Sequence, residues 1–521
     1  MNKQKVEVIV HATNEAACLR LKTSLEKIVL PKKFSVNVRF VTGDKKFSAY
    51  NDAMRASDAK YKIYLDEQVV VTNENFLSEL LEIFSDNKIG AVGTSGALEL
   101  STNGVSLRSV KRGGKNFVGY PTAKISGSNN FGAAEVIDGF FFATQYDLPW
   151  RHDLFTDNFF GGQAQCVEFR RAGYKIFIPQ QDKPWISFCG TKISLDESSR
   201  QKFLDEYSKD LFPLVSVIIP TYNRPKYFRE ALDSALNQTY RNIEIFVSDN
   251  SSEDDTEILM QDYLARDKRI KYFRHKEFDA DGNWNFARSY NNPAAEYVNW
   301  LMDDDLFYPT KIEKMVEVYR DNPDVTLVTS ARDFIDANGK VVSNTKNIFG
   351  KDVKMSGDAA GRMLFTYLQY IGEPTTVLIR KKFLRNNDLC HNADETGFFS
   401  LVDMSTWLHL LEQGSMVRLI ECLSALRTHE QQMTYSKKIY KRATYDYAKL
   451  LKQAWDGKFF VNKERDFRIC ASGLLWEACK RLNTVYKVGP YDEDVKFLEK
   501  TIAALSQSLL NDCNLDLDFG K

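Results

Sequence analysis

The chain has 521 residues, 43% hydrophobic and 27% charged. That balance excludes a largely disordered protein, and the length is too great for one ordinary core, so two or three domains are expected. Lys and Arg number 70 against 70 for Asp and Glu, so net charge directs the protein neither to nucleic acid nor to an anionic membrane.

The N-terminus opens as a strand whose apolar run, Val8 to Val10, is too short for a signal-peptide core. No run approaches the ~20 apolar residues of a membrane span. Eight cysteines without CxxC spacing read as reduced thiols. A cytoplasmic protein is expected, with peripheral association at the inner face of a membrane left open.

The chain then repeats itself. "VEVIVHATNEA" begins at Val6 and "VSVIIPTYNRP" at Val215; each is a β-branched strand running into a polar turn. An amphipathic helix follows each, with Leu19, Leu25 and Ile28 as the apolar face in the first copy and Phe228, Leu232 and Leu236 in the second. Further strands follow in parallel: "NVRFVTG" and "IEIFVSDN", then "YKIYLDEQ" and "YVNWLMDDD". Alternating strands and helices imply α/β domains with mostly parallel sheets and ligands at the carboxyl ends of the strands. The expected boundaries are a first domain at 1–195, a polar connector at 196–211, a second domain at 212–435 and three helices over 436–521.

In the second domain, polar residues gather on one rim. "PTYNR" (Pro220 to Arg224) ends the first strand and Asp249 the second, with Ser252 as the expected cap of the next helix. Asp303, Asp304 and Asp305 end a third strand. Three adjacent carboxylates repel unless a cation joins them, and hard divalent ions favour oxygen ligands, so a site for Mg²⁺ or Mn²⁺ carrying a phosphate explains the triplet. A solvated acidic turn is the alternative.

Over most of 213–435 these motifs, with "NFARSYN", "VDMSTWLHLLEQG" and "LRTHEQQMT", closely resemble the family 2 glycosyltransferases of GT-A fold. The resemblance implies a nucleotide-sugar donor, a divalent metal, and transfer to a hydroxyl acceptor with inversion. It assigns Asp249 to the nucleotide base, with Pro220, Thr221, Tyr222 and Arg224 beside it and Arg288 near the diphosphate. Asp303 and Asp305 form the DxD pair at the metal, Asp304 positions the donor, and His429 completes the metal or diphosphate site. Asp403 matches the general base, with Trp407 in register; Val402 stands where the family has Glu. Glu373 in "IGEPTT" faces the acceptor or serves the local turn.

The first domain resembles another bacterial glycosyltransferase-like family, on "YNDAMRASDAKYKIYLDEQVVV", "FLSELLEIFSDNKIGAVGTSG" and "EVIDGFFFATQYDLPWRHDLF". Together the two resemblances imply tandem GT-A domains followed by the C-terminal helical region. Gln68, a poor ligand for a hard cation, stands where that first family places its metal-binding carboxylate. "WISFCG" lacks that family's histidine. The first domain is therefore read as non-catalytic, a scaffold, acceptor platform or dimerisation surface. The competing reading is a second transferase using Asp66 and Glu67, with Asp138 or Asp157 as base. A nucleotidyltransferase and a non-catalytic carbohydrate- or protein-binding module are the other classes. The expected partners are a nucleotide-sugar donor and a glycan, lipid-linked or protein acceptor, with no nucleic acid; a homodimer is left open.

Overall fold

In a computed structural model the described residues are 1–104, 107–108, 132–156, 159–189, 196–367, 370–384, 401–429, 437–488 and 491–518. The chain forms two compact units, Met1–Phe212 and Pro213–Lys521.

In the first unit a seven-stranded sheet runs in the order Ser35–Val41, Asn2–His11, Ala59–Leu65, Phe141–Thr144, Ile89–Gly93, Lys175–Ile178, Gly132–Ala134. The first three strands are parallel. One face buries Val8, Ile63, Leu65, Phe76, Leu80 and Trp185. The first helix, Glu15–Leu25, buries Ala17, Leu21 and Leu25. Leu25 is buried and Ile28 packs against the same core, as expected, but Leu19 is exposed and Leu21 is buried instead. Residues 196–211, expected as a connector, form helix Glu197–Leu211, which buries Phe203, Leu204 and Tyr207 within this unit.

The second unit is built on a mixed sheet ordered Ile270–Arg274, Ile243–Asp249, Leu214–Thr221, Ala295–Trp300, Leu378–Arg380, Val325–Ile335, Ser415–Arg427, Leu306–Phe307. Its first four strands are parallel. The sequence explains them: "VSVIIP" and "IEIFVSD" are almost continuous apolar runs, as strands covered on both faces require. Beneath them, helix Pro225–Leu236 starts with Pro at its first position, where no amide donor is needed.

Helices Lys437–Gly457, Glu464–Val488 and Glu493–Leu510 occupy the C-terminal region. Their apolar stripes do not stand alone. Tyr447, Leu451, Phe467, Leu474 and Leu505 share one core cluster with Leu364, Met404 and Trp407. Among the described residues no helix is long and apolar enough to cross a membrane.

Leu451 is fully enclosed in that shared core. Leu451→Ala is expected to destabilise the second unit by about 2–5 kcal/mol, the usual cost of a leucine-sized core deletion. Hydrogen exchange should accelerate in Ala295–Trp300 as well as in the C-terminal helices. Acceleration confined to the helices would mean that they fold apart from the sheet.

Candidate functional site

The parallel strands of the second unit lie in chain order third, second, first, fourth. Connections reverse direction between the first and fourth, Leu214–Thr221 and Ala295–Trp300, which is where sheets of this kind place their ligand crevice, at the carboxyl ends. Thr221 and Asp303 meet there. The Thr221 hydroxyl donates to Asp303 Oδ2 at 3.0 Å and the Tyr222 amide to the same oxygen at 3.3 Å. Asn223 adopts a left-handed backbone, φ 48°, which asparagine tolerates better than most residues. Its amide donates to Ser251 Oγ, and its side chain exchanges hydrogen bonds with Ser252. Ser252 therefore clasps the neighbouring turn, and the helix expected to start there begins at Asp255 after Asp254.

Each acid of the triplet has its own set of donors. Arg224 Nη1 lies 3.2 Å from both Asp303 Oδ1 and Asp304 Oδ2. His429 Nε2 lies 2.9 Å from Asp304 Oδ2, so histidine meets the middle acid and not Asp305. Asp305 accepts from the Thr375 hydroxyl at 2.6 Å and the Arg427 amide at 3.0 Å. The buried Arg427 guanidinium donates to the Asp304 carbonyl at 2.9 Å and to Glu230 at 2.5 Å, beneath the ring of Tyr227. Burial, and then the charge of Asp304, pushes the Asp303 carboxyl up to about 6 and that of Asp305 well above its ordinary range.

A short loop, Gly372 to Thr376, links the triplet to helix Val402–Gln413. Gly372 has φ 104°, and a side chain there would fall 2.9 Å from the Arg332 guanidinium, so glycine is required on both counts. The Gly372 carbonyl accepts from Trp407 Nε1 at 3.1 Å. Thr375 holds Asp305 and also accepts the Met302 amide. Between these anchors Glu373 pairs with Arg332, Nε to Oε2 at 2.8 Å. Asp403 lies in the first turn of helix Val402–Gln413 and accepts the Met404 amide. Burial, and then the charge of Glu373, raises its carboxyl to about 6. The charge of Glu373 also adds to the rise of the Asp305 carboxyl.

The remaining expected residues divide. Pro220 ends the strand, and Tyr222 is 53% exposed at the rim, its ring accessible to a flat ligand. Asp249 is fully enclosed, its carboxylate taken by the Tyr272 hydroxyl and the Ser251 amide, each at 2.7 Å. In this conformation these two bonds fix the strand end. Arg288 is buried in helix Ala280–Ser289 and donates to Asn285. Sequence reasoning passed over Asn283, which ties that helix to the Thr221 and Ser248 carbonyls. It also passed over Thr375, Arg332 and Arg427. "GEPTT" and the Arg two residues before His429 were visible, but nothing local marks their partners, 122 residues apart for Arg427 and Asp305.

The corresponding rim of the first unit is wired differently. Glu67 accepts the Thr13 amide and hydroxyl and the Asn14 amide. Against the cost of burial, these bonds hold its carboxyl below the ordinary range. Asp66 faces Lys46 at 3.6 Å and accepts the Gln68 amide. Asp138 accepts from Ser95 and the Phe140 amide, and burial raises it to about 6. Asp157 lies outside the described residues.

Each of the two units is an α/β domain with a polar rim at its strand ends. Residues 216–401 match the family model for Glycosyl transferase family 2, and residues 7–207 match that for a Glycosyltransferase like family. The second half of the chain is thus a family 2 glycosyltransferase domain, preceded by a divergent glycosyltransferase-like one. An uncharacterized glycosyltransferase of Rickettsia bellii is 34% identical over 44% of this chain and 31% of its own length. One from Rickettsia typhi is 35% identical over 43% of this chain and 66% of its own. The chain therefore spans from under a third to just under two thirds of these relatives. A GalNAc(5)-diNAcBac-PP-undecaprenol beta-1,3-glucosyltransferase of Campylobacter jejuni is 39% identical over 18% of this chain and 30% of its own length.

Asp403 gives a pH test of the site's cost to the fold. Its carboxyl at about 6 compares with about 3.9 in an unfolded chain. The folded state binds this proton more tightly, so the group's contribution is full below about pH 4 and is lost as pH rises through about 6. Asp403→Asn is expected to raise thermal stability at about pH 8, by up to about 3 kcal/mol for a two-unit shift, and to change it little at about pH 4. A fall in Tm at the higher pH would show the ionised carboxylate to be a net stabiliser.

Proposed function

We propose that the second unit is an inverting, metal-dependent glycosyltransferase. It moves a sugar from a nucleotide-sugar, a UDP-sugar in the first instance, to a hydroxyl of a bacterial surface glycan, lipid-linked glycan or glycoprotein. One observation carries the reading: three crowded, buried carboxylates at the switch point, met by donors from separate parts of the second unit.

The donor set fits Mg²⁺ or Mn²⁺, being oxygen-rich with one imidazole. Among the described residues no three His, Cys, Asp or Glu side chains lie grouped so as to hold a metal ion by themselves. An ion held by one or two carboxylates with substrate phosphates needs none. Asp303, Asp305 and His429 stay in the proposed set, joined by Asp304, which His429 contacts. Asp305 uses two of about four lone-pair positions on internal donors. When bound, the metal supplies positive charge to the departing diphosphate.

The protein's own groups do the rest. Tyr222 and Thr221 border the nucleotide, Arg224 and Arg288 offer charge to its phosphates, and Asp249 holds the strand end under them. Asp403 takes the proton of the acceptor hydroxyl as its oxygen bonds to the anomeric carbon and the bond to the diphosphate breaks. The Campylobacter relative makes a lipid-linked glycan the first acceptor to try. The first unit is proposed to be catalytically silent: Glu67 is consumed in capping a turn, Asp66 has Lys46, and Gln68 is neutral.

Calorimetry of UDP with MnCl₂ tests both halves of the proposal. Binding should saturate near one equivalent per chain, and Asp66→Ala should leave it intact. Two equivalents, or a transfer step lost in Asp66→Ala alone, would make the first unit a second enzyme.

The chemistry is tested separately at Asp403. Asp403→Asn should cut kcat by on the order of 10²–10⁴, as loss of a general base does, with nucleotide affinity unchanged. Wild-type activity should fall on the acid side of about pH 6, where Asp403 is protonated. Lost UDP affinity in the Asn variant would move Asp403 to the donor side.

A further inference from the structure

The acid triplet already holds a cation of its own. Arg224 Nη1 is 3.2 Å from Asp303 Oδ1 and 3.2 Å from Asp304 Oδ2, bridging the two carboxylates that face the crevice. It is the first of two basic groups on Asp304 Oδ2, the second being His429 Nε2 at 2.9 Å. The two arginines of this corner differ in kind. Arg427 is fully enclosed and spends its guanidinium on Glu230 and on carbonyls of Asp304, Asp336 and Ala337. Arg224 is 26% exposed and sits at the N-cap of helix Pro225–Leu236, on the turn that lines the rim. A guanidinium on a long stem at a cleft can change partners; one locked in the core cannot.

Building on the metal-nucleotide reading of this rim, we infer that Arg224 is an exchangeable counter-ion that a divalent metal must displace, with the donor's diphosphate receiving the released guanidinium. Two cations cannot share the Asp303–Asp304 edge at contact distance without strong repulsion. Metal entry alone therefore costs the Arg224 ion pairs and leaves the guanidinium uncompensated. Metal entry with a nucleoside diphosphate does not, because planar guanidinium donors suit phosphate oxygens. The exchange makes metal and nucleotide bind with positive coupling, and linkage requires the coupling to be reciprocal. It also keeps the three acids tolerable in the ligand-free chain.

The test is titration of the full chain with MnCl₂, free Mn²⁺ being followed by electron paramagnetic resonance, with and without UDP. Arg224→Met removes the competing charge and keeps a stem of similar length; Arg224→Gln is a second variant should the first fold poorly. Without nucleotide, both should bind Mn²⁺ at least about ten-fold more tightly than wild type, a modest effect for one removed neighbouring charge. Arg224→Lys should stay near wild type. The factor by which UDP tightens Mn²⁺ binding should shrink in the Met and Gln variants. Unchanged or weaker Mn²⁺ binding in these variants, nucleotide absent, would overturn the inference. That arm decides it alone; failure of UDP to bind any form would instead count against the nucleotide-sugar reading.

Discussion

The organising constraint of the second unit is the confinement of three consecutive carboxylates where strand Ala295–Trp300 runs into the crevice. Burial first, and then the neighbouring charge of Asp304, raises the carboxyls of Asp303 and Asp305. The surroundings answer acid by acid. Thr221, Tyr222 and Arg224 serve Asp303; Arg224 and His429 serve Asp304; Thr375 and the Arg427 backbone serve Asp305. The donors come from the first strand's turn, from the Gly372–Thr376 loop and from the end of strand Ser415–Arg427.

The Gly372–Thr376 loop deserves weight because it belongs to both sides of the site. Trp407 grips it at Gly372, four residues after Asp403, and Thr375 grips Asp305. The acid triplet and helix Val402–Gln413 are thereby set against one short segment. Lys311, buried beneath it, donates to Asn299 and to the Thr376 carbonyl. The C-terminal helices extend the same support, since Tyr447 and Leu451 share a core with Met404 and Trp407. Catalytic geometry placed on packed elements tolerates less error than geometry placed on free loops.

The two units show how one architecture separates into different rims. Both place a strand-to-helix turn beside the end of an acidic strand. In the second unit that acid pair is bridged by an exchangeable arginine. In the first, Glu67 is locked onto Thr13 and Asn14, and Asp66 meets Lys46. The sheets are kept while the charge chemistry at their ends is redirected, as expected when function resides in a site grafted onto a fold.

The sequence by itself determined the repeated α/β plan, the strand ends that form the rim, and the residue types gathered there. These are local signals: apolar runs, turn residues and acids at fixed offsets carry them without knowledge of the partner segments. The faces of the shortest helices were less legible, as Leu19 shows, because a helix of three turns fits several apolar registers. Only the tertiary structure decided that His429 meets Asp304, that Asp249 is enclosed by Tyr272, that Thr375 and Arg427 hold Asp305, and that Glu373 pairs with Arg332. Each of these is a contact between segments 23 to 125 residues apart. Side-chain partnership at such separations is set by how the layers pack, and no pattern along the chain encodes it.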